Sequence, residues 1–290
     1  MSVFSPSDAA MEGFRLTKER PGMMLAWSAV YLGGILLIAL AMMATLGPQF
    51  IALARKGQLG SSDFEAVAGL LAKSWPAFLL GLGMTALLMS IITGGVLRLV
   101  LRPEMHGFAH LRVGKDELRL TAANLICVAF YVMSLIVGVV ITTAAQQSGP
   151  IAGAIVAVAV ICFALWVGVR LSLLLPSVFD TGRISFPEAW NRTRGHFWSL
   201  LGMIVLAVVF YVMVWALLSV ISFAVVELSG GNQAMRDIGA LTPITAIAAV
   251  VTLILQLLLQ ILQIVMIYAP FAVAYRQIRD AKPEPAAAPA

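Results

Sequence analysis

The sequence predicts an all-α polytopic membrane protein: six transmembrane helices with short cytoplasmic amphipathic interfacial helices, arranged as three repeated helix-plus-hairpin units. Three observations lead there. Hydrophobic residues make up 61% of the chain and charged residues only 11%, with a mean hydropathy of +0.96. A soluble domain carries about 25% charged residues. Six apolar runs, 23–46, 75–97, 121–143, 151–169, 200–226 and 244–273, contain no Asp, Glu, Lys or Arg. Each reaches the roughly 17 residues a helix needs to cross the hydrocarbon core. The alternating segments of a closed β-barrel are absent. Finally, if the N-terminus is cytoplasmic, all but four of the 19 lysines and arginines fall on the cytoplasmic side, the exceptions being Arg55, Lys56, Lys73 and Arg236. This bias predicts that both termini face the cytoplasm, as in a bacterial inner membrane protein. It also assigns the net charge of +5 to anionic headgroups rather than to nucleic acid.

Residues 1–22 read as a cytoplasmic amphipathic helix. Ser5 stands as a capping candidate with Pro6 at the first helical position, and Pro21-Gly22 stops the helix. The apolar run from Met23 is too long for the apolar core of a cleavable signal and counts as the first span. It opens a six-helix domain covering 23–280. Within it, Ala29 and Gly33 form a small-residue pair suited to close helix contact. The segment Gly47–Ser74 is the longest external piece and reads as a surface-lying helix, after which Trp75 anchors the second span.

The connector 102–119 holds His106 and His110, four apart on one helical face. That spacing suits a metal, but only Glu104 and Asp116 lie nearby as further ligands. The expectation is therefore no metal, with histidines facing solvent or headgroups. Asp116 and Glu117 suit the N-terminus of the third span electrostatically. A tight turn, 144–150, joins spans three and four. Cys127 and Cys162 lie in apolar runs and read as small core residues.

The stretch 170–198 sets the pattern for the chain. It leaves an apolar span through Arg170, crosses Pro176 and turns at Asp180-Thr181-Gly182. Ser185 and Glu188 then fit a capping box. Phe186, Trp190, Thr193 and Phe197 follow on one helical face, predicting a short helix lying flat at the headgroup level with its aromatic face toward the bilayer. Its motif is a small residue, an aromatic, and a cation four residues after the aromatic. It occurs at Ala189-Trp190 with Arg194 and at Gly13-Phe14 with Lys18, and more faintly at Gly107-Phe108 with Arg112. Spans also close alike, through Arg98, Arg170 and Arg276. These parallels suggest the threefold repeat. They also nominate Phe14, Lys18, Arg98, Arg112, Arg170, Trp190, Arg192, Arg194 and Phe197 as lipid- and interface-binding residues.

The sixth span is the most polar at membrane depth. Thr252, Gln256, Gln260 and Gln263 fall at spacings of four, four and three, on one stripe that faces protein or water rather than lipid. Such a stripe either bonds helices together or lines a path. Pro270 is expected to bend the end of this span. The Pro- and Ala-rich tail, 281–290, reads as disordered.

Arg170-Leu171-Ser172 with Pro176, then Ala189-Trp190-Asn191-Arg192-Thr193-Arg194-Gly195 and Phe197-Trp198, resembles a signature of the membrane domains of bacterial glycerophosphoryl diester phosphodiesterases and their stand-alone multi-pass relatives. The resemblance covers about 170–205. It implies a membrane-entry geometry and a lipid or lipid-derived ligand. The soluble catalytic barrel of the fused proteins has no room in this chain, so the phosphodiesterase activity is not implied.

No Walker loop, nucleophile elbow or metal-ligand cluster is present in the sequence, so an enzyme and a cofactor are not expected. The favoured function is a non-catalytic lipid-binding or scaffold protein, whose partners are membrane lipids, above all anionic headgroups on the cytoplasmic side. A protein partner or a homo-oligomer is compatible with it. The alternative is a facilitator or ion-coupled transporter of a small or lipid-derived solute. The charge bias yields a direct test. A Ser61→Cys variant should react with an impermeant thiol reagent added outside intact cells; labelling only after lysis reverses the topology.

Overall fold

The computed structural model describes residues 5–55, 64–104, 110–112, 114–231 and 242–281. Its principal elements are the helices α1 (Pro6–Glu19), α2 (Pro21–Arg55), α3 (Phe64–Leu101), α4 (Lys115–Gln146), α5 (Pro150–Leu171), α6 (Leu174–Thr181), α7 (Phe186–Arg192), α8 (Phe197–Leu228) and α9 (Pro243–Ala281). Six are long and apolar enough to cross a membrane, taking α5 with α6 as one candidate span and α3 from Ala72. Sequence and structure thus agree on a six-helix membrane protein. Phe108, His106 and the tail 282–290 lie outside the described residues, as does 56–63 of the external segment.

α1 begins as its sequence requires. Ser5 Oγ accepts from the Asp8 N–H at 3.4 Å, and Pro6 fills a position whose N–H has no helical partner. At the other end the Arg20 N–H returns to the Leu16 carbonyl, and Pro21 then opens α2 directly. The face α1 buries is made of small residues, Ala9, Ala10 and Gly13, with Leu16. It lies against α9 so closely that a Cβ on Gly13 would stand 2.8 Å from Met266 Cα. A Phe ring has no room at that contact, and Phe14, outside the buried face of α1, stays 50% exposed.

α2 and α3 approach through glycines other than those expected. Ala29 and Gly33 point outward, and no atom lies within 4 Å of the space a Gly33 Cβ would fill. Gly34, one position on, receives the Leu88 side chain, and Gly81 receives Met42 Sδ. α3 is kinked at Ser74 (φ −115°, ψ 19°), two residues before Pro76, whose ring denies the helix an N–H. Residues 64–73 are helical, as expected for that part of the external segment, and Trp75 is exposed beside the kink. α4 and α5 form a hairpin through Gly149, whose φ of +133° suits a residue without a side chain, followed by Pro150 at the first position of α5. Pro270 lies within α9, which continues without a break to Ala281.

The stretch after α5 folds differently from its sequence reading at two points. The chain stays helical through Asp180 and Thr181 and turns only at Gly182, whose φ of +68° forms the left-handed cap of α6. α7 then ends at Arg192. A second left-handed glycine, Gly195 (φ +85°), separates it from α8, so Phe197 belongs to the next helix and the four-residue stripe is broken. The capping box is also absent, because Ser185 makes no side-chain cap bond and Glu188 turns to Arg192 instead, at 2.6 Å.

Burial is uneven along the bundle. The core joins Trp27, Ile92, Val96, Leu97, Leu120, Leu173, Phe179, Ala189, Leu200, Met203 and the 261–278 half of α9, all toward the end where α1, α6 and α7 lie. The other halves of α2, α4, α5, α8 and α9 expose Leu40, Met43, Val139, Ile155, Leu217 and Ile247. In a bilayer such exposure has no hydrophobic penalty, since lipid tails are as apolar as leucine; close packing must come from small residues and polar bonds. A Gly13→Val change should therefore dislodge α1 from α9. The expected outcome is a lower thermal unfolding midpoint in detergent and faster proteolysis near Arg20, with Phe14→Val, on the exposed face, close to wild type.

Candidate functional site

The end of the bundle that buries the core is also its basic end, and its cations divide into engaged and free ones. Arg98, in the last turn of α3, is 3% exposed and Glu117, in the first turn of α4, is 1% exposed. Arg98 Nη2 donates to Glu117 Oε1 and its Nη1 to the His110 carbonyl. An ion pair so buried loses much hydration, which its mutual attraction and added bonds must offset. His110 presents its carbonyl from a left-handed backbone (φ 57°), uncommon outside glycine. It is buried, which corrects the expectation of an exposed histidine.

Phe179 of α6 lies between two arginines, its ring 5.5 Å from the Arg98 guanidinium and 5.0 Å from that of Arg102. Arg102 donates to the Phe179 and Asp180 carbonyls, at 3.3 Å each, and so holds the C-terminal turn of α6. The Asp180 carboxylate accepts from the Tyr275 hydroxyl and from Arg279, both at 3.0 Å, which ties α6 to α9. Arg276 reaches back to the Val100 carbonyl of α3 at 3.1 Å. Arg192 of α7 pairs with Glu188 and lies 5.1 Å from the Tyr275 ring. One belt of cations, carbonyls and rings thus joins α3, α4, α6, α7 and α9.

Arg170 closes α5 and sits 5.8 Å from the Trp166 ring and 5.5 Å from the Trp190 ring, the two indoles meeting edge to face at 5.1 Å. Its Nε and Nη1 are buried with no hydrogen-bond partner, so the indole faces supply the compensation. Thr193 Oγ1 donates to the Arg170 carbonyl at 3.4 Å, docking the end of α7 on the end of α5.

Of the residues nominated for the interface, the structure leaves Phe14, Lys18, Arg112 and Arg194 exposed. It withdraws Arg98 into the core and commits Arg192 to Glu188 and Arg170 to two tryptophans. Arg98 and Arg170 lie where a second element crosses the end of their helix, whereas Arg192 pairs within α7 itself. Trp190 is half-buried, and Phe197 packs against the core and Trp198. The third motif copy rests on Phe108, outside the described residues.

The polar stripe is also divided. Gln260 and Gln263 line a cleft of about 320 Å³ between α3, α4 and α9. Gln256 is exposed and outside it, and Thr252 Oγ1 is buried with no hydrogen-bond partner. Sequence reasoning missed Thr85, Thr93, Asn124 and Tyr268, which complete the polar lining. Asn124 at seven residues after Glu117, with Thr121 between, was the available signal. Among the described residues no group of three or more His, Cys, Asp or Glu is placed to hold a metal ion.

The fold and site define a polytopic α-helical membrane protein tied at one end by a cation-rich belt. No family model, curated protein or solved structure matches the chain. The belt makes a sharp forecast. Glu117→Leu leaves Arg98 buried and unmatched and should lower stability by about 3–5 kcal/mol. The double change Arg98→Met with Glu117→Leu should recover most of that loss. Reversible unfolding in mixed micelles measures both, and equal losses for the single and double variants would rule out coupling.

Proposed function

We propose that the protein is a non-catalytic component of a bacterial inner membrane that holds anionic lipid headgroups at its basic end, with both termini in the cytoplasm. The observation carrying this reading is the set of cations the belt does not use. Lys18, Arg112, Arg183 and Arg194 are exposed and form no salt bridge with a described residue. Exposed rings accompany them, Phe14 at 50% and Trp198 at 79%. Aromatic rings favour the membrane interface, and each cation near an anionic surface contributes about 1 kcal/mol before salt screening. The resemblance of 170–205 to the membrane domains of glycerophosphoryl diester phosphodiesterases supports a lipid-related ligand as well. A scaffold role through a protein partner or a second copy is compatible with the same surface.

The alternative, a facilitator or ion-coupled transporter of a small or lipid-derived solute, draws on Gln260 and Gln263, which face a cleft rather than bonding across helices. Native mass spectrometry tests the primary reading. Lys18→Glu with Arg194→Glu should weaken retention of phosphatidylglycerol by about 2 kcal/mol or more, roughly thirtyfold, and leave phosphatidylcholine retention unchanged. Equal phosphatidylglycerol retention by variant and wild type removes the headgroup role.

A further inference from the structure

The cleft between α3, α4 and α9 lies at the depth of the hydrocarbon core. On α3 it runs from Leu82 to Thr93. Leu82 is seven residues beyond Trp75 and Thr93 is five short of Arg98, about 10 Å and 8 Å along the helix. Its polar lining comprises Thr85, Thr93, Asn124, Gln260, Gln263 and Tyr268. Among the described residues, Asn124, Gln260 and Gln263 make no side-chain hydrogen bond. Three amides that face one cleft without partners, at a depth where water is scarce, are poised for a ligand that both donates and accepts.

The chemistry of the lining limits that ligand. Every polar group in the cleft is uncharged. Charges lie close at the basic end, where Glu117 packs against Gly94, but Arg98 neutralises it. A charged ligand would lose its hydration and find no free counter-charge. The rim is apolar, and Leu82 and Val128 on it are 45% and 38% exposed, on helices whose outer faces are lipid-like. Entry is therefore lateral, from the bilayer. The volume, about 320 Å³, holds a glycerol diester backbone of about ten heavy atoms but not its chains, which remain in the bilayer.

We propose that this cleft binds an uncharged glycerol diester lipid, its hydroxyl and ester carbonyls meeting Asn124, Gln260 and Gln263. The site is independent of headgroup binding at the basic end, and its test leaves that reading untouched. The full chain is reconstituted in phosphatidylcholine vesicles containing a diacylglycerol with a diazirine on the acyl carbon beside the ester. Irradiation should place cross-links in 85–93, around 124 and in 260–268. Asn124→Leu with Gln263→Leu should reduce that labelling roughly tenfold or more, while phosphatidylglycerol retention stays at the wild-type level. Asn124→Gln, which keeps an amide, should retain most of it. These leucine changes remove polar groups from apolar surroundings, and an unaltered unfolding midpoint confirms the fold. Ala86→Phe, which fills the cleft, serves as an independent block. Labelling of the leucine variant equal to wild type overturns the proposal, as does labelling confined to the apolar groove of α4 and α5 near Phe130 and Val160. Displacement of the probe by free glycerol also overturns it, by assigning the cleft to a soluble polyol.

Discussion

A buried charge must be matched, and in this protein the matching of Arg98 by Glu117 sets the arrangement around it. The two residues close α3 and open α4, so their pairing fixes how the ends of those helices meet. Arg98, once held, also lies against the Phe179 ring, and Arg102, one turn on, lies against the same ring. α6 is thereby fastened to α3. Through Asp180 it is fastened in turn to Tyr275 and Arg279 of α9. The chain of dependence runs from one ion pair to four helices. A dry ion pair is a weak source of net stability but a strong source of uniqueness, because every misplacement leaves a charge unmatched.

Polarity in the packing explains the shape. At the basic end, helices that cross at close range bring small faces together, as Gly13 does against Met266, and satisfy their arginines on carbonyls and rings. Beyond that end the helices carry long apolar side chains outward, where lipid solvates them without penalty. The structure is thus a tied base with helices extending into the bilayer. The cleft of Gln260 and Gln263 lies just beyond the base, lined by α3, α4 and α9. The Arg98–Glu117 pair holds α3 to α4 at one end, and the cleft lies one to several turns further along the same helices.

The cations illustrate two uses of one kind of charge. Arg98, Arg102, Arg170, Arg192, Arg276 and Arg279 hold the protein to itself, and Lys18, Arg112, Arg183 and Arg194 remain available to a membrane surface. Guanidinium suits the first role because it donates in a plane and stacks on rings at the same time. A count of positive charges treats both groups alike. That is adequate for a topological bias, which depends on the total, and inadequate for a binding site, which depends on what is left over.

The amino-acid sequence by itself determined the fold class and the six spans, because hydropathy over some twenty residues is a local quantity that tertiary contacts do not alter. It determined α1 as well, through Ser5, Pro6 and Pro21, whose effects reach no further than a turn of helix. It placed Gln260 and Gln263 on one face, since helical spacing fixes angles along a single element. Only the tertiary structure decided what those faces meet. Ala29 and Gly33 have the spacing of a helix contact, yet Gly34 makes it, because the rotation of α2 about its axis is set by Leu88 on another helix. Phe186, Trp190 and Phe197 share a helical period, yet Gly195 breaks the helix at a left-handed φ that no periodicity reveals. Glu117 reads as a helix-start acid, and Arg98 as a headgroup anchor, until α3 and α4 come together. Nineteen residues of chain separate them, and only packing makes them partners.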